Sequence, residues 1–255
     1  MANTKKIAAV TGGAQGLGRA IAERLGQSGI AVVLGDINLD MAKKTAEEMK
    51  GTGIDATALQ LNVVDEKSVA GFYAEIDKRF GRLDILVNNA GVLGLDQGKR
   101  PLVEEMSLEL WRQTIDVNLT GVFLASRGAI PLMKRGKWGR IVSISSRAAR
   151  MKTGMGNSNY AASKAGVIGF SRVMAGELGR DGITVNCIAP SRIPTAMTLA
   201  SPTSKEAFER NIAETAVGRL ATPQDVASTI NYLCTDDASF LTGLVIDVTG
   251  GSFMP

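Results

Sequence analysis

Tyr160 and Lys164 are the residues of this 255-residue chain whose types and spacing best suit proton transfer, because the sequence contains no histidine. They lie four positions apart in NYAASK, so a helix places both side chains on one face, one turn apart. To act near neutral pH, the phenol needs roughly 4 kcal/mol of preferential stabilisation of its phenolate, because its reference pKa is about 10. A lysine ammonium in contact supplies stabilisation of that size. We therefore predict that Tyr160 carries the proton and that Lys164 lowers its pKa, although the spacing alone also fits an ordinary helix start.

Two serines end the predicted strand that precedes this helix. In GRIVSISS, the hydroxyl of Ser146 is placed to hydrogen-bond a substrate carbonyl oxygen as negative charge develops on it. Side chains alternate along a strand, so Ser145 and Ser146 point to opposite faces. Only one of the two can therefore reach Tyr160.

A glycine-rich turn, TGGAQGLG from Thr11 to Gly18, stands between the first predicted strand and the first predicted helix. Glycines permit positive φ and close backbone approach, and the free N–H groups of a helix N-terminus attract a pyrophosphate. The spacing departs from G-x-G-x-x-G, and such turns also serve as plain connectors. Asp36 ends the second strand, 18 residues beyond Gly18, where a carboxylate can accept hydrogen bonds from an adenosine ribose. Together they predict a dinucleotide site, with a solvated strand-end residue as the other interpretation of Asp36.

The carboxylate of Asp36 also predicts which dinucleotide is bound. A ribose 2′-phosphate beside it would meet a like charge, at a cost on the order of 4 kcal/mol for a separation of about 4 Å and an effective dielectric of about 20. Gln15 stands where a basic residue would have met that phosphate. We therefore predict NAD(H) as the cofactor, with NADP less favoured.

The elements that must hold these residues follow from alternating patterns. Short β-branched apolar runs such as KIAAVTG and AVVLGD alternate with amphipathic stretches such as GLGRAIAERLGQSG. This alternation is typical of parallel βαβ units with helices on both faces of the sheet. The pattern contains about seven strands and about six helices without a linker, which predicts one doubly wound α/β domain of the Rossmann type over residues 1–255. Residues 191–205 lack a clear period and contain two prolines, which predicts a loop at the substrate.

Composition excludes several classes of function. The 29 Lys and Arg residues are scattered against 25 Asp and Glu, with a net charge of +4 and no dense basic block, so nucleic acid is not expected as a partner. Cys187 and Cys234 lie in runs that predict reduced core thiols, and no metal site is expected. No apolar run approaches the roughly 18 residues of a membrane span, and the first apolar stretch is too short for a signal peptide. We therefore predict a cytoplasmic protein with no membrane contact.

Taken together, these residues resemble the short-chain dehydrogenase/reductase family, in its compact single-domain branch. The resemblance covers nearly the whole chain and rests on TGGAQGLG, Asp36, NNAG from Asn88 to Gly91, Asn118, Ser146, YAASK, the Pro190 segment and the closing TGG. It implies that Tyr160 is the general acid/base, that Lys164 lowers its pKa and holds the nicotinamide ribose, and that Ser146 orients the substrate oxygen. It also implies that Asn118 holds a water linking Lys164 to solvent.

The same resemblance implies a set of cofactor contacts. They comprise Gly12, Gln15, Gly16, Leu17, Gly18, Asp36, Asn62, Val63, Asn89, Ala90, Gly91, Tyr160, Lys164, Pro190, Ile193 and Thr195. Two positions depart from the family's pattern. The acidic residue often found near the adenine is Asn62 here, and the usual Pro-Gly pair after the sixth strand is Pro190-Ser191.

Basic residues beside the predicted site raise the question of an anionic substrate. Arg147 follows Ser146, and Arg192 follows Ser191 in the predicted loop. One hypothesis is that these residues clamp a carboxylate, phosphate or sulfonate, because guanidinium binds such oxyanions with paired hydrogen bonds. The other hypothesis, which the sequence favours, is that these arginines belong to a solvated basic loop or contact a cofactor phosphate.

Our main functional prediction is an NAD(H)-dependent oxidoreductase that interconverts a secondary alcohol and a ketone, both small molecules. Two alternatives stay open. One is an NADPH-dependent 3-oxoacyl carrier-protein reductase, against which Asp36 and Gln15 argue, and the other is a non-catalytic nucleotide-binding regulator. The resemblance further implies a homo-oligomer, most often a tetramer, with the apolar helix faces around Asn118 and after Tyr160 as candidate interfaces.

Overall fold

The computed structural model describes residues 5–152, 157–195 and 205–255. Within them, seven strands form one parallel sheet. The strands are β1 (Ile7–Thr11), β2 (Ala31–Asp36), β3 (Ala56–Gln60), β4 (Ile85–Asn88), β5 (Gly139–Ile144), β6 (Ile183–Pro190) and β7 (Val245–Val248). Their order in the sheet is β3-β2-β1-β4-β5-β6-β7. The predicted doubly wound α/β fold of the Rossmann type is therefore confirmed.

Helices connect these strands and cover both faces of the sheet. In the described part of the chain they are α1 (Gly16–Gln27), α2 (Leu39–Gly51), α3 (Glu66–Phe80), α4 (Leu108–Ile115), α5 (Gly121–Gly136), α6 (Ser158–Leu178), α7 (Lys205–Ala213) and α8 (Pro223–Leu233). Local chemistry fixes several of their starts: the side chain of Asn38 accepts a hydrogen bond from the backbone N–H of Met41, and Thr222 and Asp225 form a capping box around Pro223. None of these helices is long and apolar enough to cross a membrane.

The two faces of the sheet bury separate apolar clusters, and successive residues of β1 alternate between them. Val10 belongs to the cluster under α1, α2 and α8, whereas Ala9 belongs to the cluster under α3 and α5. All five residues of β1 are buried. This explains why the sequence shows a continuous apolar run there, since a central parallel strand has no solvated face.

The strand order reverses direction between β1 and β4, which are neighbours in the sheet: Val10 pairs with Leu34 of β2 on one side and with Val87 of β4 on the other. In open parallel sheets, ligands bind outside the carboxyl ends of the strands at such a switch point. The predicted site residues lie at or after the ends of β1 to β6 and at the start of α6. The topology therefore gathers them at one edge.

Two helical regions differ from the sequence-based prediction. The helical region around Asn118, expected from its apolar face, consists of α4, a π-helical segment at Asp116–Thr120, and α5. In the predicted loop 191–205, residues 191–195 have no regular structure, but Lys205 is already the first residue of α7. The intervening residues 196–204 lie outside the described residues.

Candidate active site

A cavity of about 430 Å³ lies at the switch point. Its walls come from the turn after β1, the end of β2, the segments after β3 and β4, the π-helical segment, the end of β5, the start of α6 and the residues after β6. All of the predicted cofactor contacts line it, together with Ser146 and Arg192. The fold thus brings residues that are far apart along the chain into the wall of one cavity.

The glycine turn is shaped for close approach by a phosphate group. Gly12 and Gly16 adopt φ of +63° and +55°, where a side chain would be strained. A Cβ on Gly18 would stand 2.1 Å from the carbonyl oxygen of Gly12, so only glycine permits this packing of turn and helix. Asn89 fixes the turn, because its Nδ2 donates to the carbonyl oxygens of Thr11 (2.9 Å) and Gly12 (3.0 Å).

Two further features complete the fit to a dinucleotide. At the start of α1, Gln15 makes no side-chain capping bond, so the helix N–H groups stay available at the cavity for a pyrophosphate. At the end of β2, the carboxylate oxygens of Asp36 accept from the backbone N–H groups of Ala14 and Asn38, each at 3.0 Å. Each oxygen keeps a second lone-pair direction for a ribose hydroxyl. The residues present therefore fit a dinucleotide whose phosphates lie at the glycine turn.

The two serines after β5 have different partners. Ser145 Oγ donates to the carbonyl oxygen of Lys164 at 2.8 Å, which ties the end of β5 to α6. Ser146 Oγ accepts from the backbone N–H of Ala148 at 3.1 Å, lines the cavity together with Tyr160, and lowers the pKa of that phenol, against the larger effect of burial. Ser146 is therefore the serine that faces Tyr160.

Lys164 and Tyr160 lie on one face of α6, as their spacing predicts. The Lys164 side chain is 3% exposed, and its Nζ donates to the carbonyl oxygen of Ile144 at 2.8 Å and stands 5.9 Å from the centre of the Tyr160 ring. Burial lowers the pKa of Lys164 to about 8. The ammonium is thus anchored to the end of β5 beside the phenol.

The pKa of Tyr160 differs from the prediction. Burial raises it above its ordinary value, and the hydrogen bond with Ser146 only partly opposes this. The predicted lowering by Lys164 is absent in this structure, because the ammonium is directed at the Ile144 carbonyl and burial disfavours the phenolate more strongly.

Asn118 stands behind the cavity wall, in the π-helical segment. It is fully buried, its Oδ1 accepts from the backbone N–H of Val92 at 2.8 Å, and its Nδ2 donates to the Val92 carbonyl (2.9 Å) and to Ser163 Oγ (3.1 Å). A Cβ on Gly91 would stand 3.1 Å from Asn118 Oδ1 and 3.4 Å from Lys164 Nζ. Both amide hydrogens of this side chain are engaged by protein, and Oδ1 keeps one lone pair that could accept a hydrogen bond from a water.

The two arginines proposed as a substrate clamp have different positions. Arg192 is 5% exposed, lines the cavity and lies over the ring of Phe208, with 4.9 Å from its guanidinium carbon to the ring centre. Arg147 is not brought to the cavity. Its guanidinium instead donates to the Ser252 carbonyl at 3.3 Å and lies 4.0 Å from Glu214, because the short helical turn after Ser146 directs it toward the chain's last residues.

Sequence reasoning missed one charged residue and several apolar residues of the cavity. Arg100 lines it from the irregular segment after β4, as do Val92 and Leu93. That segment has neither a helical nor a strand period, so no pattern marked these residues. The nearest signal was the adjacent NNAG motif, which indicates a strand end at the sheet's ligand-binding edge.

Comparison with known proteins agrees with this geometry. The family model described as "Enoyl-(Acyl carrier protein) reductase" matches residues 12–252. The chain is 38% identical over 250 residues to the 3-oxoacyl-[acyl-carrier-protein] reductase FabG of Aquifex aeolicus, with 97% of each chain covered. It is also 38% identical over 246 residues to the (2S)-[(R)-hydroxy(phenyl)methyl]succinyl-CoA dehydrogenase subunit BbsD of Thauera aromatica, with 96% of each covered.

Solved structures are similar as well. A 3-oxoacyl-[acyl-carrier protein] reductase with bound NAD from Brucella melitensis superimposes with a TM-score of 0.89 at 34% identity, covering 99% of this chain and 93% of that one. Fold, motifs and relatives point to the same group of oxidoreductases. The chain belongs to the short-chain dehydrogenase/reductase family.

Proposed function

We propose that this protein interconverts a ketone and a secondary alcohol, with Tyr160 as the general acid/base. The observation that carries the proposal is that one cavity joins a glycine turn and Asp36, which suit a dinucleotide, with the side chains of Ser146 and Tyr160. A bound nicotinamide supplies the hydride that the carbonyl carbon receives. The protein must then supply a proton and hold the carbonyl oxygen.

The chain's own groups divide that task. Tyr160 Oη delivers the proton to the carbonyl oxygen, and its raised pKa keeps it protonated at neutral pH, as a proton donor must be. Ser146 Oγ hydrogen-bonds the same oxygen and stabilises the charge that develops on it. Lys164, whose pKa is about 8, remains mostly protonated at pH 7 and provides positive charge for the tyrosinate left after transfer.

The proposed cofactor is NAD(H). Its support is the Asp36 carboxylate, which backbone N–H groups hold at the cavity edge, where a ribose 2′-phosphate would meet a like charge. The relative of known structure with bound NAD is consistent with this choice. NADP(H) is the less favoured cofactor.

The proposed substrate class is a 3-oxoacyl group and its 3-hydroxy product. Several relatives, including those of Aquifex aeolicus and Escherichia coli, are named as 3-oxoacyl-[acyl-carrier-protein] reductases. These names favour the 3-oxoacyl alternative over an unspecified ketone, whereas Asp36 still argues against its expected NADPH. The presence of both Tyr160 and Lys164 argues against a non-catalytic regulator.

Assembly and location are proposals too. We propose a homotetramer that pairs the outer faces of α5 and α6, where Phe123 is 41% and Val173 61% exposed and Phe123 packs edge-on against Phe170. Apolar side chains exposed on neighbouring helices are typical of subunit interfaces. A cytoplasmic location and a single domain over residues 1–255 stay predictions from the sequence.

The test is reduction of acetoacetyl-N-acetylcysteamine, a neutral 3-oxoacyl thioester, followed by loss of absorbance of NADH or NADPH. We expect turnover with both cofactors and a kcat/KM at least about tenfold higher with NADH, because the like-charge cost at Asp36 falls on NADPH. NADH binding without turnover of this thioester or of other ketones would contradict the proposal and favour the regulator.

A further inference from the structure

Arg100 introduces positive charge into the cavity on the segment that leads away from β4. Among the residues that the structure describes at the cavity wall, the cations are Arg100, Lys164 and Arg192, and the acid is Asp36. Asp36 lies at the end of β2 beside the glycine turn. The catalytic part of the cavity is therefore positive.

The segment that carries Arg100 is tied to the catalytic side. It starts at Gly91, next to Asn118 Oδ1 and Lys164 Nζ. Further along, Asn159 Nδ2 donates to the Gly94 carbonyl at 3.4 Å, from the residue that precedes Tyr160 in α6. The segment that carries Arg100 to the cavity wall therefore leaves β4 on the side of the proton donor, whereas the glycine turn that suits the pyrophosphate follows β1.

Arg100 has no hydrogen-bond or ion-pair partner among residues 5–152, 157–195 and 205–255. Arg100 is exposed and Arg192 is buried, and both line the same cavity. Partial burial lowers the pKa of each, and the charge of Arg100 lowers the pKa of Arg192 further. Arg192 is held over Phe208. An anion that binds between two like charges at one cavity wall stabilises both, and the gain is larger for the charge that is buried.

We propose that Arg100, supported by Arg192, binds an oxyanion that the substrate itself carries, on the catalytic side of the cavity. Guanidinium suits this role because its planar donors form paired, charge-assisted hydrogen bonds with carboxylate and phosphate. The proposal rests on the proposed ketone reduction and narrows its substrate class. The oxyanion has two possible sources with the same chemistry: the carboxylate of a free 3-oxo acid, or a phosphate of a carrier thioester.

Matched pairs of ketones separate these sources. Acetoacetate is compared with its neutral methyl ester, and acetoacetyl-CoA with neutral acetoacetyl-N-acetylcysteamine, in the wild-type enzyme and in Arg100→Gln. We expect Arg100→Gln to lower kcat/KM about tenfold or more, mainly through KM, for the anionic member of one pair and less than about twofold for its neutral partner. The pair that responds identifies the source of the anion.

Lys99→Gln is the control, because it removes the same charge from the neighbouring position, which is exposed and does not line the cavity. We expect Lys99→Gln to leave all four values unchanged. Equal losses in Arg100→Gln for anionic and neutral compounds would overturn the proposal in favour of a structural role. Weaker NADH binding would reassign Arg100 to the cofactor, and unchanged kinetics would also overturn the proposal.

A binding measurement keeps the inference separate from the proposed function. The fluorescence of enzyme-bound NADH is titrated with acetoacetate and with coenzyme A, which needs no turnover. If the wild type reduces none of the four ketones, the proposed function fails, but a tenfold weaker response in Arg100→Gln to either anion still supports the anion site. If neither anion binds the wild type, or if the wild type and Arg100→Gln bind the anions equally well, the proposed anion site is wrong.

Discussion

At the scale of single residues, burial acts in opposite directions on the pKa values of the two titratable side chains at the start of α6. It lowers that of Lys164 and raises that of Tyr160, so it favours the neutral form of each. The spacing of the pair was evident from the sequence. Their pKa values were not, because they depend on the Ile144 carbonyl and on the desolvation that the folded cavity imposes.

The lowered pKa of Lys164 predicts a pH-dependent cost to the fold. The folded-state pKa is about 8 and the ordinary value 10.5, so between these values the unfolded chain binds more protons than the folded one. The contribution of Lys164 to the free energy of unfolding therefore rises with pH through this window and is least favourable below about pH 8. We expect the unfolding free energy of the wild type, relative to that of Lys164→Met, to rise by about 1 to 3 kcal/mol from pH 7.5 to 10.

The measurement is denaturant unfolding of both proteins across that pH range. Lys43→Met, which removes an exposed lysine from α2, serves as the control and should differ from the wild type by a constant amount. A constant difference for Lys164→Met as well would show that burial does not shift the lysine pKa.

Asp36 is the second residue whose charge has a measurable consequence. Asp36→Asn keeps an oxygen to accept from the N–H groups of Ala14 or Asn38 but removes the negative charge. We expect the preference for NADH over NADPH, measured as the ratio of kcat/KM values, to narrow at least about tenfold, since a like-charge repulsion of a few kcal/mol is lost. An unchanged ratio would place cofactor selectivity elsewhere in the cavity.

At the scale of elements, the sequence predicted what depends on local pattern. The seven strands and the helices α1 to α3 follow from alternating apolar periods, and the turn before α1 follows from its glycines. The π-helical segment was not predicted, because Asn118 stabilises it through Val92, a contact across 26 residues that no local period records. Helix α7 was not predicted: it begins at Lys205, the last residue of the predicted loop 191–205, and no helical period was assigned to the residues that follow.

The join between the glycine turn and α1 gives a prediction at this scale. Gly18→Ala places a methyl group 2.1 Å from the Gly12 carbonyl oxygen, so either the turn or the helix must move. We expect NADH binding to weaken at least about tenfold and the unfolding free energy to fall by about 1 to 3 kcal/mol, the usual cost of overpacking.

Gly71→Ala is the matched control, since this glycine is also helical, is exposed on α3 and has open space at its Cβ position. We expect it to raise the unfolding free energy by about 0.4 to 1 kcal/mol without affecting NADH binding, because alanine favours the helix. The two variants are compared by fluorescence titration with NADH and by denaturant unfolding. If Gly18→Ala binds NADH normally, the close packing of the turn is not required for the cofactor.

At the scale of the whole molecule, the order of the strands explains why so few sequence motifs locate the site. All strands are parallel, so their carboxyl ends lie at one edge, and the reversal of strand order between β1 and β4 opens a crevice there. Residues from Gly12 to Thr195 therefore line one cavity. Those that belong to strand ends or to the start of a helix were predictable. Arg100 was not, because only the folded path of its irregular segment brings it there. The clamp hypothesis included Arg147 because it follows Ser146 in sequence, but that proximity does not determine the direction of its side chain, which points away from the cavity.

The measurement that tests the central claim most directly compares the wild type with Tyr160→Phe. Reduction of acetoacetyl-N-acetylcysteamine and of acetoacetate is followed by NADH absorbance, and NADH affinity is measured in parallel by fluorescence. We predict that Tyr160→Phe binds NADH within about twofold of the wild type and loses about 100-fold or more in kcat, as expected when a general acid is removed. Substantial turnover by Tyr160→Phe at undiminished NADH affinity would contradict the account and show that another group delivers the proton.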